Sequence, residues 1–203
     1  MIRVPRLWAG ETVVCIGGGP SLTPADVQAV RGRARVIAIN DAYRLAPWAD
    51  VLYAADAKWW NWYQGVSLFT GPKYSISSRE TVTWPDVQTL QNTGPVGLEI
   101  EPTGLRAGFN GGYQAINLAV HFGAKRIVLL GYDMTLGPAG EGHWFGDHPD
   151  GKVSPYAQMR EAFNTLIEPL AEIGVEVVNC SRRTALTAFP RMSLEEAIAQ
   201  VPA

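Results

Sequence analysis

The sequence predicts an α/β fold, a single doubly wound and mostly parallel sheet with helices on both faces. Three observations carry this. Short apolar runs alternate with amphipathic stretches along the chain, as a parallel sheet with crossover helices reads. The runs are apolar and β-branched at nearly every position, as strands covered on both faces must be. They end in glycine, asparagine or aspartate, the residues that turn a strand into a loop. At 203 residues, 47% hydrophobic and 18% charged, the chain suits one domain, 1–203, with its own core.

The elements follow in order. Residues 12–16 (TVVCI) form a first, central strand, followed by Gly17, Gly18, Gly19, Pro20 and Ser21. Thr23 and Pro24 then suit the cap and first position of a helix. Residues 35–39 are a second strand ending at Asn40 and Asp41, 50–55 a third ending at Asp56, and 73–76 a fourth. Glycines and prolines interrupt 77–109, read as an insertion or lid with an edge strand over 96–100. Tyr113, Ile116, Leu118, Ala119 and Phe122 make one apolar helical face over 110–122, with Gly123 placed to end it. Residues 126–130 are a further strand, closing at Gly131, Tyr132 and Asp133. A polar loop spans 134–153, a long helix 154–173 and a last strand 175–178. Ser193 with Glu196 opens a final helix through a capping box.

Composition narrows the classes. A net charge of −2 argues against broad nucleic-acid binding, which draws on a basic excess. No apolar run reaches the roughly 20 residues of a membrane helix. Arg3 and Arg6 precede no apolar stretch, so no secretory signal is expected. Cys15 and Cys180, both at strand ends, make no disulfide framework, and a reduced, cytoplasmic protein is expected.

In open α/β sheets ligands bind beyond the carboxyl ends of the strands, and here those ends are polar or glycine-rich. The loop from Gly17 to Ser21 has neither a dinucleotide fingerprint nor a Walker lysine. Its glycines would still let the backbone approach an anion, with amides and the Ser21 hydroxyl as donors to phosphate; the plainer reading is a tight turn. Asn40 and Asp41 offer donors and acceptors to a ribose or base, unless Asp41 only caps a helix. Asp56 precedes Trp59, Trp60, Trp62 and Tyr63, which cannot all face one core from a helix; the tryptophans suit a stacking wall for a sugar or base, or packing. Asn110, Gly111 and Gly112 open a helix whose exposed amides suit a second phosphate or a sugar oxygen. His143 and His148 share one polar loop with Asp147. Either histidine suits a general base, and with Asp133 or Asp147 they could instead hold a metal or orient substrate. Arg182, after the last strand with Arg183, suits a phosphate or carboxylate partner.

The order of these motifs, Gly-Gly-Gly-Pro-Ser-Leu after a strand, Ile-Asn-Asp, Asn110-Gly-Gly-Tyr and Ile127-Val-Leu-Leu-Gly-Tyr-Asp133, resembles one group of proteins. It comprises small bacterial sialyltransferases, motility-accessory-factor glycosyltransferases, MptE-like pterin pyrophosphokinases and uncharacterised phage proteins. The phage branch is the most similar, through Gly131-Tyr-Asp-Met and His143-Trp-Phe with His148. The resemblance implies that the loop from Gly17 to Ser21 holds donor phosphates and Asn40 the nucleotide. Asn110, Gly111 and Gly112 would lie against ribose or phosphate, His143 or His148 would be the general base, and Tyr156 would stand for a phosphate-binding tyrosine. Gly18 departs from it, standing where the sialyltransferases have asparagine. The expected function is a glycosyltransferase using a nucleotide-sugar donor, without a required metal, toward a surface glycan or a modified DNA base. Self-association stays open. The alternatives are a Mg²⁺-dependent (pyro)phosphoryl transferase, with the ion near Asp56 or Asp133, and a non-catalytic nucleotide-binding protein.

Overall fold

The computed structural model describes residues 2–78, 80–146 and 154–201. Its centre is one eight-stranded parallel sheet in the order β6-β5-β4-β3-β2-β1-β7-β8. The strands are β1 (Thr12–Ile16), β2 (Arg35–Ile39), β3 (Val51–Tyr53), β4 (Lys73–Ile76), β5 (Val87–Asn92), β6 (Gly104–Leu105), β7 (Arg126–Leu130) and β8 (Glu176–Asn179). The chain starts at β1, steps outward to β6, then crosses back through a helix to place β7 on the other side of β1. The strand order therefore reverses between β1 and β7, and the loops leaving these two strands diverge there to leave a crevice.

The helices are α1 (Pro24–Ala29), α2 (Ala57–Trp62), α3 (Gly111–Phe122), α4 (Tyr156–Asn164), α5 (Ile167–Glu172) and α6 (Leu194–Ala199). Alternate strand residues feed two apolar layers. Val13 and Cys15 of β1, with Ile127 and Leu129 of β7, pack under α3 beside Tyr113, Phe122 and Phe163. Val14 and Ile16, with Val128 and Leu130, pack against Val27, Trp59, Trp60 and Ile198 on the other face. Every position of β1 and β7 is therefore buried, which explains their unbroken apolar runs. Gly123 closes α3 at φ 98°, and Thr23–Asp26 and Ser193–Glu196 form reciprocal caps on α1 and α6.

Two stretches differ from expectation. The segment 77–109 is not one excursion, because β5 and β6 within it extend the sheet. Residues 96–100 form no strand; Val96 and Leu98 pack on the core from a loop. The helix expected over 154–173 is two. Pro169, in the first turn of α5, has no N–H to give the carbonyl four residues back, at Thr165. The Thr165 hydroxyl instead donates to Ala162 O (2.7 Å) and accepts the Gly97 amide (3.0 Å), a side-chain alternative to helical bonding.

The turn after β1 meets the turn after β7 backbone to backbone. A Cβ on Gly17 would lie 2.8 Å from Gly131 O, and one on Gly19 2.6 Å from the same oxygen, with the Asp133 carboxylate also in its way. Gly19→Ala is expected to lower stability by about 1–3 kcal/mol through this overpacking. In thermal unfolding that is a loss of roughly 2–4 °C per kcal/mol for a domain of this size; an unchanged midpoint would show that the two turns can separate freely.

Candidate functional site

A cleft of about 630 Å³ opens where the order reverses. Gly17 to Pro20 after β1, Asn40 after β2, Asp56 after β3 and Gly131 to Met134 after β7 all line it. The ends picked out from sequence thus lie together at one edge of the sheet.

The glycine turn is bonded mainly to the protein itself. Gly17 N donates to Leu130 O (2.8 Å) and Gly19 N to Gly131 O (2.8 Å). The Ser21 amide and hydroxyl, expected to face phosphate, both donate to Asp133, at 2.8 and 2.9 Å. Among the described residues Gly18 N is the turn amide without an acceptor, and Gly18 is also where the His143 loop docks. Trp144 N donates to Gly18 O (3.1 Å), and a Cβ on Gly18 would lie 3.1 Å from His143 Nδ1. The glycines therefore serve close packing of the β7 turn at 17 and 19 and of the His143 loop at 18, where the amide is left without an acceptor among the described residues.

Asp133 is 1% exposed. Burial pushes its carboxyl above the usual range, partly offset by the Ser21 bonds and the nearby Arg183 charge. Its visible work is to tie two loops together, and its oxygens already have donors. On the same wall Tyr156 donates to Gly142 O (3.2 Å); burial raises its phenol, with the Asp133 charge adding to the shift.

The N-terminus of α3 also lines the cleft. Asn110 caps it, accepting from Tyr113 N at 2.9 Å. Gly111 sits against Ile39 and Tyr53, and a Cβ on Gly112 would lie 2.8 Å from the Tyr132 ring, so the helix start packs close to the sheet. The amides of Gly111 and Gly112 belong to the first turn, where no helical acceptor exists, and they have no other acceptor among the described residues. A twelve-residue helix thus presents unused donors to the cleft, the arrangement that favours an anion.

His143 lines the cleft, its ring stacked on Phe145 with centroids 4.9 Å apart. His148 and Asp147 lie outside the described residues.

Four expected residues are engaged in packing or pairing, three of them outside the cleft. Asp41 is fully buried and accepts from Trp59 Nε1 (2.9 Å) and the Tyr63 hydroxyl (2.5 Å), so it anchors aromatic packing instead of meeting a ribose. Trp60 is fully buried, with Nε1 donating to Ala54 O (3.0 Å), and is no stacking wall. Trp59 borders the cleft but is 2% exposed. Arg182 forms a bidentate pair with Asp26, both bonds 2.8 Å, outside the cleft. The α2 aromatic that does reach the cleft in the open is Trp62, and Phe109, not singled out in the sequence, joins it. Lys58 and Glu80, paired at 3.6 Å, complete that rim.

No known protein family matches the chain, and no curated protein matches it in sequence. Among solved structures, the sialyltransferase CstII from Campylobacter jejuni, in complex with the substrate analogue cytidine-5'-monophosphate, is similar with a TM-score of 0.54. The identity is 13%, over 91% of this chain and 86% of that one. The likeness is one of fold. A short-chain dehydrogenase from Oenococcus oeni PSU-1, at 12% identity over 95% and 88% of the two chains, gives a TM-score of 0.27, too low to carry an argument.

The Arg182–Asp26 pair has a signature of its own. Burial alone would raise the Asp26 carboxyl, but the bonds from Arg182 and Thr23 outweigh it and hold it below the usual range. The folded state thus prefers the ionised form, and the stabilisation is present above the ordinary aspartate range and lost as pH falls through the lowered value. Arg182→Ala should cost up to about 1 kcal/mol at neutral pH, since the exposed guanidinium is screened by solvent. The gap from wild type in urea unfolding should close below roughly pH 4, and the affinity of the cleft for any ligand should not change. A loss of affinity would return Arg182 to the site.

Proposed function

We propose that the protein is a glycosyltransferase that binds a nucleotide-activated sugar in this cleft and passes the sugar to an acceptor hydroxyl. The observation that supports it most is the pairing of unused α3 amides with an imidazole across one cleft. The amides of Gly111 and Gly112, with Gly18 N in the same cleft, suit the phosphate that becomes the leaving group. His143 beside Gly18 suits the base. In the transfer, the acceptor oxygen forms a bond to the anomeric carbon while the bond from that carbon to the phosphate oxygen breaks. The acceptor proton passes to a ring nitrogen of His143, and the nucleoside phosphate leaves with the electron pair, its charge met by helix amides. The fold shared with an enzyme whose structure carries cytidine-5'-monophosphate agrees with this reading.

A phosphoryl transfer needing Mg²⁺ at Asp133 fits less well, because both Asp133 oxygens already accept from Ser21. Titration calorimetry with a nucleotide panel, with and without Mg²⁺, separates the two: the glycosyltransferase reading expects binding without the ion.

His143→Ala should cut turnover ~10²–10⁴-fold and leave nucleotide affinity nearly unchanged. Wild-type turnover should also fall on acidification, since an imidazolium accepts no proton. A full-rate alanine variant removes His143 as the base. Gly18→Val, which sets a branched side chain between the turn and His143, should weaken nucleotide binding while the protein stays folded; equal affinity would dismiss the turn as a binding element.

A further inference from the structure

Phe109 is held in a conformation its residue type disfavours, at a position where its ring gains little from packing. Its φ is 62°, in the left-handed region that a bulky side chain rarely enters, yet the residue is 43% exposed. The neighbouring bonds enforce this. Gly108, at φ 54°, has no room for a Cβ against the Tyr113 ring. Its amide donates to Pro95 O (2.7 Å), its carbonyl accepts from Asn110 Nδ2 (3.0 Å), and Ala107 N donates to Gly94 O (2.8 Å). The chain thus makes two left-handed residues in succession immediately before the cap of α3, and the second carries a phenyl ring into the cleft. Backbone strain that the surroundings over-determine is concentrated where a side chain must be presented.

What the ring faces suggests its use. Phe109 leads into α3, on the sheet face of Tyr53 and Tyr113, whereas Trp62 ends α2, on the face of Trp59 and Trp60. The two large exposed aromatics of the cleft therefore approach it from elements on opposite faces of the sheet. Phe109 stands two residues before Gly111, whose amide is one of the donors assigned to phosphate, so a nucleoside linked to that phosphate is within reach of the ring. We infer that Phe109 is a stacking plate for the donor's nucleobase, strained into place by the Gly108–Asn110 turn, with Trp62 on the facing wall. This rests on the nucleotide-sugar reading of the cleft and names how its base is gripped; stacking is tolerant of base identity because every base has a π-face.

Phe109→Gly tests it, because glycine accepts the backbone conformation and removes the ring. The wild-type protein, Phe109→Gly and Phe109→Trp would be titrated with CMP, UMP, AMP, GMP and ribose 5-phosphate, and their thermal midpoints compared. The wild type should bind the nucleotides more tightly than ribose 5-phosphate. Phe109→Gly should lose about tenfold or more in nucleotide affinity, keep its affinity for ribose 5-phosphate, and melt a few degrees higher as the strain is relieved. Phe109→Trp should retain the nucleotide preference. Nucleotide affinity in Phe109→Gly equal to wild type would overturn the stacking role and leave the cleft reading standing. A wild-type protein that binds neither nucleotide nor ribose 5-phosphate would overturn the cleft reading itself.

Discussion

Where the strand order reverses, two backbones lie closer than any side chain between them would allow. The turn after β1 rests on the turn after β7 through Gly17, Gly19 and Gly131, and Ser21 fastens it with two donors to the buried Asp133. The cleft depends on this contact. If either turn carried a Cβ at the touching positions, the loops would part and Gly18 would move away from His143, whose loop is pinned by the bond from Trp144 N to Gly18 O. The glycine cluster is thus a packing requirement first. Of its amides Gly18 N is left without an acceptor among the described residues, as are those of Gly111 and Gly112 at the start of α3.

A second constraint comes from the backbone at the rim. Asn40, Phe109 and Met134 all have positive φ and all line the cleft. Each stands at or just beyond an element end, where the chain must turn sharply instead of continuing past the sheet. Asn40 suits that conformation through its short polar side chain; Phe109 and Met134 do not. Met134 follows Asp133 and has its carbonyl held by Arg160 of α4 (2.9 Å), so its strain is enforced from outside its own turn, as that of Phe109 is by the bonds of its neighbours Ala107 and Gly108 to the 94–95 loop. Such geometry persists only where the rest of the fold over-determines it.

Much of this was legible in the sequence because it follows from local rules. Strands β1, β2 and β7 read as continuous apolar runs since both faces are covered, and α3 showed its apolar face, its Asn110 cap and its Gly123 stop. The rule that ligands lie beyond strand ends picked out Gly17, Asn40, Asp56 and Asp133, which line one cleft. What escaped is non-local or weakly patterned. In β5 only Val87 and Leu90 are buried, as suits a strand near the sheet edge, and two apolar residues make no periodic signal. The partners of Ser21, Asp41 and Arg182 lie 112, 22 and 156 residues away in the chain for Asp133, Tyr63 and Asp26. Nothing in the spacing reveals that these polar groups are already engaged. Among the α2 aromatics, Trp59 and Trp60 could be assigned to the core only once the sheet face beneath α2 was known, and Trp62 to the cleft by the same token.

The electrostatics of the cleft follow from the same architecture. Among the described residues its lining carries Asp56, Glu80 and Asp133 against Lys58 and His143, and Lys58 already faces Glu80. A cation cluster is thus not what this surface offers to a phosphate. The proposed alternative is dipoles: the first-turn amides of α3, whose start packs closely on Ile39 and Tyr132. In the proposed transfer, amides held in this way would need no reorganisation when negative charge develops on the leaving group. A flexible lysine would do the opposite, giving up side-chain freedom on binding and holding a point charge in place. The glycines at 111 and 112 let the helix start lie close against the sheet, and this packing is what makes it a candidate for leaving-group stabilisation in the proposed transfer.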